Sequence, residues 1–429
     1  MPQQRFVDDC FRPGQTLLSH AEAVTQLRSR VQPVTGTEIV ALEAASGRIL
    51  AESIVAQFPV PAHTNAAVDG YAFAAHDLNG LSEAILPIAG RAAAGHPFSS
   101  PVPRHSAVKI LTGAVMPTGL DTVAMQEDCN VAAGNGAQQS VKLPPGLKPG
   151  SNVRRAGEDV AEGTELFGTG HIVRPQDLAA LASIGRAGVL CRTALKVALV
   201  STGDEVIRAG ARALKPGEVY DANVPMLTGL VSLAGGSITD LGVWPDSIDE
   251  VKRRLADAAA RFDVIITSGG ASKGSEDHMA ASLGALGQRH FWEIAVKPGR
   301  PMMLGQIGNA AVIGLPGNPV AVFVCFLMYV FPMLRALSGA PWPEPRRFML
   351  PAAFAFPKRK VGRREFWRGM LVETPKGLSV DKFARDGSGL ISGLRAADGL
   401  IDCPEDTLSV TPGDMVAFIP FTEFGILGR

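Results

Sequence analysis

Cysteine is scarce and unpaired in this chain. Its 429 residues contain five, Cys10, Cys129, Cys191, Cys325 and Cys403, with no Cys-x-x-Cys spacing among them. An odd, scattered set excludes a zinc ribbon or a disulfide framework and points to a reduced, cytoplasmic compartment. A charge excess of either sign is also missing, since Lys plus Arg and Asp plus Glu each number 41. A general nucleic-acid or membrane-surface partner is therefore not expected, although a local site for a small anion is not excluded. The opening MPQQRFVDDCF has no apolar signal core. The longest uncharged apolar run, VAVFVCFLMYVFPML from Val320, falls short of the ~20 residues of a spanning helix and reads as a buried helix. There is no internal repeat, no low-complexity tract, no Walker A motif and no Gly-x-Gly-x-x-Gly, which disfavours ordinary P-loop and dinucleotide-binding readings.

The length calls for two to four domains, and texture divides the chain. From about Gly14 to Glu52 the pattern is helical, with apolar spacing around Ala21–Val24 and Leu27. Short β-like runs broken by Gly and Pro follow to about Val153. SGRIL before that region and EGTELF after it could belong to one domain with the β-rich region inserted between them, and Pro175 to Ile184 reads as a helix. The boundaries drawn are 14–56 with 157–192 for an elongated helical and β domain, 57–156 for the inserted β domain, 193–340 for an α/β domain and 345–429 for a C-terminal β domain. In the α/β region the strands KVALV, ITDLGV, DVIIT and AAVIGL alternate with helices over Pro225 to Ala234, Asp249 to Arg261 and Asp277 to Leu286. That alternation implies a parallel sheet with helices on both faces.

Three of these strands run into loops of small residues. The first loop holds Ser201, Thr202 and Gly203, the second Ser268, Gly269, Gly270 and Ser272, the third Gly317, Asn318 and Pro319. Open α/β sheets bind ligands beyond the carboxyl ends of their strands, where glycine lets backbone N–H groups approach an anion. One such loop is commonly only a tight turn; three at corresponding positions point to a phosphate-bearing ligand. Acids stand beside them: Glu205, Asp221, Asp246 and Asp277. Carboxylates next to phosphate suggest a bridging divalent cation, most simply Mg2+. The alternative is that Asp204 and Asp221 cap helices. Capping is expected of Asp204, and a ligand-facing role of Asp246 and Asp277. Downstream, Lys297-Pro298-Gly299-Arg300-Pro301 presents two cations on a stiff backbone suited to an oxyanion.

In NAAVDGYAF (65–73), ILTGAVMP (110–117), VRRAGED (153–159), STGDEV (201–206), YDAN (220–223), TSGGASKGSEDH (267–278), KPGRP (297–301) and GLPGNPVAV (314–322), the chain resembles the molybdopterin molybdenumtransferase family, which is similar to the C-terminal domain of gephyrin. The resemblance covers nearly the whole chain. It implies four domains, the third like the molybdopterin adenylyltransferases and the last a β barrel. It implies a homodimer whose site is shared between subunits, with possible docking of the adenylyltransferase itself. The substrates would be molybdate and adenylylated molybdopterin, the products molybdenum on the dithiolene and AMP, with Mg2+ or another divalent cation assisting. By position, Asp69, Thr112, Arg154 and Asp159 fall on the inserted-domain side of the site. Glu205, Asp246 and Asp277 fall on the acidic, cation-holding positions, and Lys297, Pro298, Arg300 and Pro301 on the basic loop. Arg368 and Ser388 are C-terminal candidates for completing the oxyanion site. The chain departs from the family pattern at Ala66, Lys273, Arg300 and Glu293. Two other readings stay open: a nucleotide pyrophosphate hydrolase sharing the α/β domain, as in the competence-damage-inducible family, and a non-catalytic scaffold.

Overall fold

A computed structural model describes residues 17–78, 84–133, 139–270, 278–299 and 301–428. The first helix, His20–Arg30, starts at a capping box: Ser19 Oγ accepts the Glu22 N–H while the Glu22 carboxylate accepts the Ser19 N–H. The helical pattern expected to run to residue 52 ends there. Thr37–Ala41, rich in β-branched residues, is instead a strand paired antiparallel with Gly188–Arg192. Ile54–Val55 pairs with Glu165–Phe167, and Ile49 bridges Ile172. The segments before and after the insertion thus close on one core of Leu50, Ile54, Leu181, Val189 and Cys191. Between them lies a six-stranded sheet in the order Thr122–Met125, Gly70–Phe73, Ala107–Ile110, Ala84–Ala92, Gln139–Leu143, Asn130–Ala133.

The α/β domain comprises β1 (Leu195–Thr202), α1 (Asn223–Leu233), β2 (Gly236–Trp244), α2 (Ile248–Arg261), β3 (Val264–Ser268), α3 (His278–Leu286), β4 (Gln288–Glu293), β5 (Val296–Lys297), β6 (Pro301–Ile307), β7 (Ala310–Leu315) and α4 (Pro319–Leu337). Its sheet runs β2-β1-β3-β7-β6-β4. The first four strands are parallel, but β6 and β4 are antiparallel, so the sheet is mixed rather than all parallel. Alternate residues face opposite layers. Val197, Leu199, Ile266 and Ile313 pack with α1 and α4. Ala198, Val200, Ile265 and Val312 pack with α2 and α3. Helices cover both faces as expected. By length and composition α4 could cross a membrane, but 89% of its apolar stretch is buried inside the protein, between the sheet and the C-terminal domain.

That last domain holds β8 (Arg364–Thr374) and β9 (Gly377–Lys382), a hairpin extended by Gly399–Cys403, Met415–Pro420 and Phe348–Pro351. Ala352 bridges Val380, and the Ala353 N–H donates to Val380 O at 2.8 Å, which closes the sheet into a barrel. Short β5 pairs with β8 rather than with the α/β sheet, so the segment carrying Lys297 belongs to the barrel's edge.

Candidate functional site

Ser201 pairs with Ser268, and Ser268 with Leu315, so the loops after β1, β3 and β7 lie side by side at one sheet edge. They are laced together. The Gly269 N–H donates to Leu315 O at 3.0 Å. Gly269 has a φ of +92°, and a Cβ there would stand 2.7 Å from Thr202 Oγ1, so only glycine lets the two loops close up. Asn223 Nδ2 donates to Ser268 Oγ (2.8 Å) and Gly317 O (2.7 Å), tying the second loop to the third, while its own Oδ1 is buried without a partner. Sequence reasoning named YDAN but not this role; the side chain is held for its two donors.

Of the two acids expected as possible caps, Asp221 takes that role and Asp204 does not. Asp221 Oδ1 accepts the N–H groups of Asn223 (3.0 Å) and Val224 (3.1 Å) at the start of α1. Its other oxygen takes the Ser201 hydroxyl and, at 2.7 Å, Arg208. Asp204 starts no helix: its Oδ1 accepts the Asp246 N–H at 3.4 Å. That bond joins the loops after β1 and β2, whose ends pair through Thr202 and Trp244. Glu205 and Asp246 therefore stand exposed at adjacent strand ends. The Glu205 carboxylate folds back over Gly203, where an added Cβ would meet Oε2 at 2.5 Å. Asp277, Ser272, Lys273 and Arg300 lie outside the described residues. Among the described residues no three His, Cys, Asp or Glu side chains converge on a metal-sized site. Glu205 and Asp246 alone suit a cation that takes its remaining ligands from substrate phosphates and water, as magnesium commonly does.

A cavity of about 360 Å³ opens where the third loop meets the barrel. Lys297, Pro298, Pro316, Asn318, Arg368 and Ser388 all line it. Lys297 Nζ lies 3.4 Å from Glu365 Oε2, a buried carboxylate shared with Trp367 Nε1 (2.8 Å) and Arg359 (3.3 Å). Arg368 lies over the Phe383 ring and donates to the carbonyls of Arg385 (2.6 Å) and Leu390 (3.1 Å), so its guanidinium braces the loop that carries Ser388. Ser388 O in turn accepts the Val320 N–H at 2.9 Å and fastens that loop to the start of α4. Pro319 opens α4, and Pro301 opens β6 opposite Glu293.

Of the remaining expected residues, Asp69, Thr112 and Arg154 lie on the inserted domain and Asp159 just past its end. Asp69 Oδ1 accepts both the N–H and the hydroxyl of Thr112, each at 2.7 Å, and these bonds hold its carboxyl below the usual range. Arg154 pairs with Asn65 across the entry and exit of the domain, and the Asp159 N–H donates to Val60 O at 3.1 Å; both side chains are exposed. Among the described residues, no hydrogen bond or ion pair joins these four to Glu205, Asp246 or Lys297. The candidate residues thus fall into two groups: small-residue loops beside a cavity lined by Lys297 and Arg368, and an exposed face carrying Asp69, Thr112, Arg154 and Asp159.

Known proteins are similar to this chain along most of its length. Residues 18–185 match the family described as the MoeA N-terminal region (domain I and II), 198–336 a probable molybdopterin binding domain, and 350–421 the MoeA C-terminal region (domain IV). A molybdopterin molybdenumtransferase of Haemophilus influenzae is 37% identical over 407 residues, covering 94% of this chain and 99% of that protein. Molybdopterin molybdenumtransferase 2 of Mycobacterium tuberculosis is 32% identical, with coverages of 92% and 96%. The crystal structure of a molybdopterin biosynthesis MoeA protein from Pyrococcus horikoshii superposes with a TM-score of 0.80 at 29% identity, over 94% of this chain and 100% of that one.

Proposed function

The chain belongs to the MoeA family of molybdopterin molybdenumtransferases, and on that premise we propose how its residues carry the reaction, in which molybdenum from molybdate is inserted into adenylylated molybdopterin and AMP is released. The observation that carries the reading is a shared wall. Pro316 and Asn318 of the third loop also line the cavity of Lys297, Arg368 and Ser388. A nucleotide held by its phosphates in a cradle of the three small-residue loops therefore points its reacting end toward the cations.

The roles follow from the contacts. Ser268 Oγ accepts from Asn223 and keeps its own hydrogen to donate to a phosphate oxygen. Lys297 receives the oxyanion from a fixed backbone, its ammonium half-exposed and anchored on one side by Glu365. Arg368 shapes the cavity from beneath the Ser388 loop. Glu205 and Asp246 would hold Mg2+ or another divalent cation, with Asp277 as the third acid of that set. Such a cation, when bound, supplies charge neutralisation at the phosphoanhydride. Asp69, Thr112, Arg154 and Asp159 would complete the site from a second copy of the chain, which makes the working enzyme a homodimer. A cytoplasmic location and docking of the adenylyltransferase that supplies the substrate belong to the same proposal.

The test combines purified protein with adenylylated molybdopterin, molybdate and magnesium, and follows AMP and pterin-bound molybdenum. AMP release that requires both molybdate and the cation, with molybdenum retained on the pterin, is the expected result. A substrate that binds and stays uncleaved would overturn the proposal.

A further inference from the structure

Two charged side chains of the cavity have no part in the roles above. Lys382 ends β9, and Asp386 lies on the loop that Arg368 braces; both line the cavity beside Lys297 and Ser388. We propose that Lys382 is the inner cation of the oxyanion pocket and Asp386 its built-in competitor, a carboxylate that an entering dianion displaces. This rests on reading the cavity as the oxyanion site.

The two partners are held very unequally. The Lys382 side chain is 8% exposed and that of Asp386 47%. The Lys382 ammonium lies over the rings of Phe356 (5.3 Å) and Trp367 (5.7 Å), and Phe383 O accepts from it at 3.4 Å. On its remaining side it meets, among the described residues, the Asp386 carboxylate. A lysine this buried needs an anion at all times, because an unpaired buried charge is costly. Asp386 has no such constraint and can turn into water. The loop around it is secured independently, by Arg368 on the carbonyls of Arg385 and Leu390 and by the Ser388 carbonyl on Val320. Exchange therefore moves one exposed side chain and leaves the pocket's walls in place.

The exchange also selects. A monoanion offers Lys382 the same charge as Asp386 but lacks the carboxylate's tether, so it gains nothing by competing. A tetrahedral dianion brings twice the charge and can reach Lys297 in the same cavity. Asp386 is then a specificity-determining residue acting against singly charged anions.

Isothermal titration of molybdate, and of singly charged perrhenate, into the full-length protein tests this at fixed ionic strength. Lys382→Met is expected to weaken molybdate binding about tenfold or more, the range of a hydrogen bond to a charged group. Asp386→Asn is expected to tighten molybdate about threefold and perrhenate more, narrowing the preference between them. Asp386→Asn alters an exposed loop position, so it decides the matter even where Lys382→Met does not fold. If Lys297→Met weakens binding while Asp386→Asn binds both anions no more tightly than wild type, the competitor role is wrong and the pocket reading survives. If wild type binds no molybdate, or Lys297→Met binds it unchanged, the pocket reading itself fails and takes this inference with it.

Discussion

Gly299 joins the Lys297 loop to the core of the α/β domain, and its replacement by alanine separates two physical costs. Its φ is +102°, and an added Cβ would stand 2.2 Å from Cys325 Sγ, with Ala321 O at 3.5 Å and Cys325 Cβ at 3.9 Å. Cys325 sits in α4, and its Sγ contacts Gly299 O at 3.3 Å; complete burial pushes its thiol up to about 12, so it stays neutral and donates. In Gly299→Ala the left-handed backbone costs about 1–2 kcal/mol. The overlap with sulfur adds about 1–3 kcal/mol. Cys325→Ala alone loses a weak hydrogen bond and the packing of one sulfur, about 1–2 kcal/mol. The double variant removes the atom that alanine meets, and the nearest remaining atoms lie at ordinary contact distances. The double variant then keeps the backbone cost and the Cys325→Ala cost but not the overlap, so the two changes couple favourably by about 1–3 kcal/mol. Urea unfolding of the four proteins measures this cycle, and molybdate titration follows the loop. Gly299→Ala is expected to lose affinity because Lys297 moves with residue 299, and the double variant to regain most of it. Additivity within about 0.5 kcal/mol would refute the claim that Cys325 seats this loop.

Two further predictions concern acid stability and assembly. His20 is buried against Tyr329 Oη (Nδ1···O 2.8 Å), and its pKa is lowered from 6.5 to about 4, chiefly by burial and next by Arg364. Because the folded state resists this proton, the contribution of neutral His20 is fully present above about pH 6.5. It is lost as pH falls toward 4 and is level below that, a change of up to about 3 kcal/mol. His20→Gln should flatten the urea-stability curve in that window; parallel curves for the two proteins would dismiss the assignment. If, as proposed, the site is shared in a homodimer, Asp69→Ala and Lys297→Ala should each abolish AMP release. Mixing them under exchange should restore about a quarter of the wild-type rate, since half the dimers are hybrids with one intact site; no recovery would place both residues in one subunit's site.

Much of the fold was legible because apolar runs of strand length and periodic helices announce themselves. KVALV and AAVIGL fall inside β1 and β7, DVIIT overlaps β3 in all but Asp263, and Ile248–Arg261 forms within a residue of expectation. Strand direction is not written in an apolar run, which is why the antiparallel β6 and β4 went unread. A signal for β6 existed: Gly308-Asn309 joins β6 to β7 as a two-residue hairpin connection. Thr37–Ala41 was missed because its partner lies about 150 residues away, and a strand without a neighbour has no local signature. At the site, the small-residue loops were legible from composition. Asn223, Lys382 and Asp386 were not, because their roles arise from long-range packing. That Asp221 rather than Asp204 caps a helix has the same origin: only the fold shows which of the two acids faces a helix start.

The two halves of the site differ in how they are held, and this bears on why a second chain would be needed. Lys297 owes its place to β5 joining a barrel strand, and α4 lies in one continuous core with Phe366, Leu400, Ile419, Phe421 and Phe424 of the barrel. The cradle and the cationic cavity therefore form one preorganised body, in which Lys297, Lys382 and Arg368 keep their relative positions before any ligand arrives. The inserted domain has its own clusters, around Tyr71 and Phe73 on one face of its sheet and Val108 and Ile110 on the other. At its base the two chain crossings pair with each other, Asn65–Ala66 with Val153–Arg154 and Val60 with Val160. Asp69, Thr112 and Arg154 thus ride on a unit whose stability does not depend on the cradle. A face built and stabilised apart from the cradle of its own chain can be presented to the cradle of another, and a symmetric pair lets each copy complete the other's site with a single interface.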